Sequence, residues 1–150
     1  MAGTLAGSSD FKFVSRATDF AVRITFDAKS TGTLNEQYPT GVIPWGNGTW
    51  LGSRTVVAFS GNCTSLAGEG YFVGSFRFQN RLPLLSVDAY KGDATAATVT
   101  LSCPGQPGKQ VTLAAGQLFT LATCWQDACS PVTISSTNSW RNNFNNLVVD

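Results

Sequence analysis

Short runs of alternating apolar and polar residues recur along the whole chain, and turns rich in glycine and proline separate them. In the run 97–102, for example, Val99 and Leu101 would face one side while threonines face the other. Side chains of a β-strand point alternately to opposite faces, so a period of two indicates half-buried strands. No stretch shows a sustained helical period. We therefore expect an all-β fold: an antiparallel β-sandwich of about nine strands with no substantial helix.

The candidate strands share a high content of β-branched and aromatic residues, which favour the pleated conformation. In the fourth run, Leu85, Val87 and Ala89 should face the core, and in the last run Leu147 and Val149 should do so. The runs are 21–26, 55–59, 71–78, 84–90, 97–102, 110–113, 118–123, 131–134 and 144–149.

The length of 150 residues suits one domain over residues 1–150, with residues 1–9 as a small, polar and flexible N-terminal tail. Only 13% of the residues are charged and the net charge is +1, so nucleic acid is not an expected partner. No apolar run reaches the length of a membrane span, so membrane insertion is not expected either.

The four cysteines are Cys63, Cys103, Cys124 and Cys129. Their spacing contains no C-x-x-C motif, so a zinc site is not expected. Two disulfides are one interpretation, and buried thiols are the other. Pairing of Cys103 with Cys129 is favoured because each flanks a predicted strand of similar character, and Cys63 with Cys124 would follow. Disulfides, low charge and abundant Thr, Ser, Asn and Gly indicate a secreted or cell-surface protein.

Catalytic chemistry has little support in the residue inventory. The chain has no histidine, which excludes Ser-His-Asp and Cys-His arrangements. A glycosidase needs two carboxylates across the scissile bond. The chain has only two glutamates, and four of its seven aspartates, Asp27, Asp88, Asp93 and Asp127, lie at predicted strand ends or turns, where turn-forming and surface residues are more common than catalytic acids. A non-catalytic binding or structural role is the better expectation.

Several aromatic residues are candidates for ligand binding. Asn47-Gly48 is a strong hairpin signal, and a two-residue turn there would place Trp45 opposite Trp50. Such a pair could stack against sugar rings, or it could cover the edge of the core. Trp125 lies between Cys124 and Cys129, and it either binds a ligand or caps the sandwich. Tyr90 lies at the end of a predicted strand, and it is either a ligand-binding residue or an ordinary surface tyrosine.

The stretch 137–150 contains five asparagines and Trp140. Amide side chains both donate and accept hydrogen bonds, which matches sugar hydroxyls, and Trp140 would supply a stacking face. Alternatively, these asparagines form the hydrogen bonds of a turn.

This ending, S-S-T-N-S-W-R-N-N-F-N-N-L-V-V, resembles that of secreted bacterial domains with a galactose-binding-like jelly-roll fold, as do T-G-T-L-N-E-Q-Y-P-T-G-V-I-P-W-G and L-S-V-D-A-Y-K-G. More distantly it is similar to carbohydrate-binding modules of families six and thirty-five. The resemblance implies that Asn143 contacts sugar and that Asn145 stands where an acid helps to hold structural calcium. Because Arg141 also replaces a frequent aspartate, a calcium site built from Asp27, Asn145 and Asp150 would have reduced negative charge.

Two functions are thus expected from the sequence. The first is a lectin-like domain that binds a polysaccharide or another glycan through aromatic stacking and amide hydrogen bonds. The second is a structural or adhesive surface protein that self-associates, with residues 10–14 adding as a strand to a neighbouring molecule.

Overall fold

The computed structural model describes residues 21–29, 31–46, 48–138 and 141–150, and for residues 53–55 it describes only the backbone. Within these residues the chain forms eleven strands, and Val57–Phe59 form a 3-10 turn. The strands are β1 (Val22–Ile24), β2 (Gly32–Thr33), β3 (Trp50–Val56), β4 (Gly61–Leu66), β5 (Val73–Phe76), β6 (Leu84–Lys91), β7 (Ala97–Ser102), β8 (Lys109–Leu113), β9 (Leu118–Ala122), β10 (Val132–Ser136) and β11 (Asn142–Val149).

The strands form two antiparallel sheets. The larger sheet has seven strands in the order β2-β3-β4-β11-β6-β9, with β1 paired to the second half of β11. The smaller sheet has four strands in the order β5-β10-β7-β8. Every strand pair is antiparallel. The predicted all-β sandwich is therefore confirmed, with eleven strands rather than about nine.

The inner faces of the strands follow the predicted alternation at most positions. Val99, Leu101, Leu147 and Val149 are all buried, as expected. Leu85 is an exception, because it is only partly buried. Val148 pairs with Ser86 and Val149 with Leu84, so Leu85 is an extra residue in a β-bulge that turns its side chain away from the inner face.

The region 55–64 differs most from the prediction. The predicted strand 55–59 is wrong beyond Val56, because residues 57–59 form the 3-10 turn. The following strand β4 was not predicted. Its residues Cys63, Thr64, Ser65 and Leu66 are all buried, so both faces are covered and no alternation of polarity marks the strand.

One of the two predicted disulfides is present. Cys103 and Cys129 are joined, with sulfurs 2.12 Å apart, which closes a loop between the end of β7 and the start of β10. The second predicted disulfide is wrong: Cys63 is buried in β4, Cys124 is exposed after β9, and both are thiols. In the described part of the chain, no helix is long and apolar enough to cross a membrane.

Candidate functional site

The outer surface of the seven-stranded sheet carries a tyrosine beside an asparagine. Ala89 and Phe144 are register partners that face the core, so their neighbours Tyr90 and Asn143, also register partners, face outward. Gly92 lies next to both. A β-carbon at Gly92 would stand 3.5 Å from Asn143 Oδ1 and 3.6 Å from Tyr90 Cε1. We call this surface around Tyr90 and Asn143 the Tyr90 face.

The side chains of Tyr90 and Asn143 are both partly exposed, and each carries polar atoms that can hydrogen-bond to a ligand. In the described part of the chain, neither the Tyr90 hydroxyl nor the Asn143 amide has a hydrogen-bond partner. The ring of Phe59, from the 3-10 turn, lies edge-on to the Tyr90 ring, with centroids 6.1 Å apart. An aromatic face beside a carboxamide can pack on the C–H face of a sugar and bond its hydroxyls.

Asp88 organises the polar side chains further along the same surface. Its two carboxylate oxygens accept hydrogen bonds from Thr120 Oγ1 at 2.6 Å and from Asn146 Nδ2 at 2.7 Å. Asn146 has a φ of 49°, because the register between β11 and β6 shifts after Asn145. Since both of its oxygens are engaged, Asp88 positions the side chains of Thr120 and Asn146. The polar groups that this part of the surface presents to a ligand are therefore hydroxyls and amides.

The three predicted calcium ligands are not brought together. Asp27 lies in the turn after β1, where its Oδ1 accepts a hydrogen bond of 3.1 Å from the backbone N–H of Asn62. Asp150 follows Val149, the partner of Val22, and so lies at the opposite end of β1. Asn145 is 2% exposed and stands opposite Asp88. Among the described residues, no three His, Cys, Asp or Glu side chains cluster as a metal site would require.

Trp45 and Trp50 belong to the core, which contradicts their predicted role as a sugar-stacking pair. They are 2% and 0% exposed. Their rings meet edge-on, with centroids 5.4 Å apart, but Trp50 pairs with Leu66 of β4 and not with Trp45 across a hairpin. The Trp45 indole N–H donates to the Tyr38 carbonyl at 2.6 Å. Both indoles therefore cover the core, the alternative that the sequence left open.

Trp125 is also buried, at 2% exposure, and this contradicts a ligand-binding role. Its indole N–H donates to the carbonyl of Pro107, 2.9 Å away, so the ring is held against the loop between β7 and β8. Burial inside the domain leaves no ring face for a ligand.

The C-terminal loop before β11 contributes a polar cluster that the sequence did not reveal. Trp140, a predicted ligand residue, lies outside the described residues. Asn138 Nδ2 donates to Asp93 Oδ2 at 3.1 Å, and Arg141 Nη1 contacts the same oxygen at 3.2 Å. The Lys91 amine also contacts Asp93. The alternation that buries Val87 and Ala89 also points Lys91 inward. This alternation is the sequence signal from which the burial of Lys91 could have been predicted.

A surface groove of about 320 Å³ lies beside the disulfide, with Cys129 in its lining. Phe78, Arg81 and Gln106 are among its lining residues. None of the predicted ligand-binding residues lines it.

No known protein family, curated protein or solved structure matches the chain. The fold and the chemistry of the described surfaces are therefore the grounds for any functional assignment.

Proposed function

We propose that this chain is a non-catalytic, lectin-like domain that binds a glycan on the Tyr90 face. The observation that carries the proposal is the adjacency of Tyr90 and Asn143 on the outer surface, with the hydroxyl and the amide both lacking hydrogen-bond partners among the described residues. The Tyr90 ring stacks on the sugar, and the Asn143 amide bonds two of its hydroxyls. Gly92 leaves room for the ring of the ligand to approach.

The surroundings of the Tyr90 face favour a neutral glycan. Both carboxylate oxygens of Asp88 are already engaged with Thr120 and Asn146, so this carboxylate is committed to protein partners and not to a cation. A disulfide between Cys103 and Cys129 fits the oxidising environment in which a secreted glycan-binding domain works.

A glycan array followed by titration calorimetry on the full chain tests the proposal. We expect Tyr90→Ala and Asn143→Ala each to weaken binding by at least about tenfold, which is ~1.4 kcal/mol. Arg81→Ala, in the groove beside the disulfide, is the matched control and should bind as the wild type does. The proposal fails if no glycan binds, or if Arg81→Ala abolishes binding while Tyr90→Ala preserves it.

A second candidate function, self-association as a structural or adhesive surface protein, is favoured by a different surface. Tyr71, Phe72 and Val73 are 47%, 50% and 54% exposed and lead into β5, an edge strand of the smaller sheet. Exposed apolar side chains on an edge strand are suited to protein contacts. The strand addition predicted for residues 10–14, like the predicted tail 1–9, lies outside the described residues. Light scattering on wild type and Phe72→Ser distinguishes this candidate, since assembly through this patch should weaken in the variant.

A further inference from the structure

Lys91, at the end of β6, has its amine in the interior of the sandwich. The side chain is 0% exposed and follows the inward-facing Val87 and Ala89. Apart from its contact with Asp93, Nζ has no hydrogen-bond partner among the described residues. Burial lowers the pKa of Lys91, and the nearby Arg141 lowers that pKa further. A neutral amine, which is a nucleophile, is thus easier to form here than at the surface.

Asn142 lies directly opposite Lys91 on the neighbouring strand β11. Its side chain is also 0% exposed. The Asn142 Nδ2 contacts Ser136 Oγ, while Oδ1 has no hydrogen-bond partner among the described residues. Opposed residues of antiparallel strands have β-carbons about 4.5–5.5 Å apart on the same face. The four-carbon arm of a lysine is long enough to span that separation, so the carboxamide carbon of Asn142 is within its reach.

Asp93 supplies the proton-transfer group that such a pair needs. Its carboxylate contacts the Lys91 amine and is held in place by Asn138 and Arg141, through contacts of 3.1 and 3.2 Å. A positioned carboxylate can take a proton from an attacking amine and return it to a leaving group. The cluster is mostly shielded from water, since the Asp93 side chain is 22% exposed and the other two reacting side chains are buried.

We propose that Lys91 and Asn142 form an intramolecular isopeptide bond, with Asp93 as the proton shuttle. The lone pair of neutral Lys91 Nζ attacks Cγ of Asn142, forming an N–C bond. Asp93 accepts a proton from Nζ and delivers it to Nδ2, and the Cγ–Nδ2 bond breaks. Ammonia leaves, one secondary amide replaces one amine and one primary amide, and no oxidant or reductant is consumed.

The bond would join the neighbouring strands β6 and β11 of the larger sheet by a link that thiols cannot reduce. It adds to the Cys103–Cys129 disulfide, which closes the loop between the end of β7 and the start of β10. Both proposed functions, glycan binding and self-association, are independent of it.

Intact mass spectrometry of the folded full chain tests the bond. We expect the wild type to be lighter than its sequence by one ammonia, beyond the two hydrogens lost in the disulfide. Peptide mapping should recover the Lys91 and Asn142 peptides as one joined species. Lys91→Met should restore the full sequence mass, Asp93→Ala should slow or abolish the loss, and Lys109→Met, a control in β8, should keep it.

Three outcomes overturn the proposal. The first is a wild-type mass without loss, and the second is loss of water with Lys91 joined to Asp93. The third is an ammonia loss that persists in Lys91→Met, which indicates a cyclic imide at an asparagine. If Lys91→Met does not fold, Asn142→Asp decides the matter, because condensation with a carboxyl group releases water in place of ammonia.

Discussion

The indole N–H of Trp50, in β3 of the larger sheet, donates a hydrogen bond of 3.0 Å to the backbone carbonyl of Ser75, in β5 of the smaller sheet. The bond connects the two layers through a side chain that is 0% exposed. The Trp50 indole also contacts the rings of Phe76 and Phe144 edge-on, with centroid distances of 6.1 and 6.3 Å. Trp50 therefore holds the sheets together by both packing and a polar contact.

Replacing Trp50 should destabilise the fold strongly. Trp50→Ala removes a buried indole and leaves a cavity, so we expect the free energy of unfolding to fall by ~3–5 kcal/mol. Trp50→Phe keeps a ring but leaves the Ser75 carbonyl without its donor, at a cost of ~1–3 kcal/mol. Guanidinium unfolding measures both. Phe72→Ala, at a half-exposed ring, should change the free energy by less than about 1 kcal/mol, and an equal loss there would contradict the assignment.

Gly74 permits the close approach of β5 to this indole. A β-carbon at Gly74 would lie 2.7 Å from Trp50 Cζ2 and 2.7 Å from Leu66 Cδ2. Gly74→Ala should therefore cost ~1–3 kcal/mol by overpacking. At Gly108 the same substitution meets only the Leu101 carbonyl oxygen at 3.7 Å, and Gly108→Ala should be close to neutral. Thermal unfolding of the two variants makes the comparison, and equal melting temperatures would count against close packing at Gly74.

The Cys103–Cys129 disulfide should stabilise the domain by restricting the unfolded chain. The cysteines are separated by 26 residues. Loop-closure entropy for that length predicts a loss of roughly 3–4 kcal/mol when both are changed to serine. Cys124→Ser, at an exposed thiol, should leave the free energy of unfolding unchanged. Urea unfolding of the three proteins, in the absence of reductant, tests this, and an effect of Cys124→Ser as large as that of the double variant would contradict it.

Tyr38 should make stability depend on alkaline pH. Burial raises the pKa of Tyr38 above its ordinary value of 10.0, and its hydroxyl donates to the Thr25 carbonyl at 3.0 Å. As the pH rises through 10, the unfolded chain releases this proton while the folded chain retains it. The native state then binds more protons than the unfolded state. The free energy of unfolding therefore falls as the pH rises, until Tyr38 also ionises in the folded protein.

Tyr38→Phe isolates that contribution. It should cost ~1 kcal/mol near neutral pH through loss of the hydrogen bond, and the difference from wild type should shrink as the pH rises above 10. Urea unfolding at a series of pH values gives the difference curve. Phe72→Ser, which changes a half-exposed side chain and no titratable group, serves as the control and should leave the alkaline dependence of the wild type in place. A constant difference between Tyr38→Phe and wild type would refute the prediction.

The alternation of polarity predicted the fold class because it reports directly on which face of a strand is buried. It succeeded in β7 and β11, where Val99, Leu101, Leu147 and Val149 lie against the opposite sheet. It failed at Leu85, where a bulge inserts one residue, and a bulge depends on the partner strand. It also missed β4, because burial on both faces removes the alternation that a one-sided strand shows.

The candidate site was predicted less well than the fold. Tyr90 and Asn143 were both named from the sequence, and the structure places them side by side because β6 and β11 pair in that register. Trp45, Trp50 and Trp125 were named for the same chemical reason, yet all are buried. An indole serves equally as a core residue or a ligand platform, and only its position relative to the sheets distinguishes the two.

The sequence by itself determined the all-β class, the sandwich architecture and the favoured Cys103–Cys129 disulfide, because these follow from local periodicity and from residues that flank predicted strands. Tertiary structure alone decided that Lys91 lies opposite Asn142 and that Cys63 and Cys124 remain thiols. Strand order and register bring together residues that are distant along the chain. Those pairings depend on the packing of the whole core and leave no local signature in the sequence.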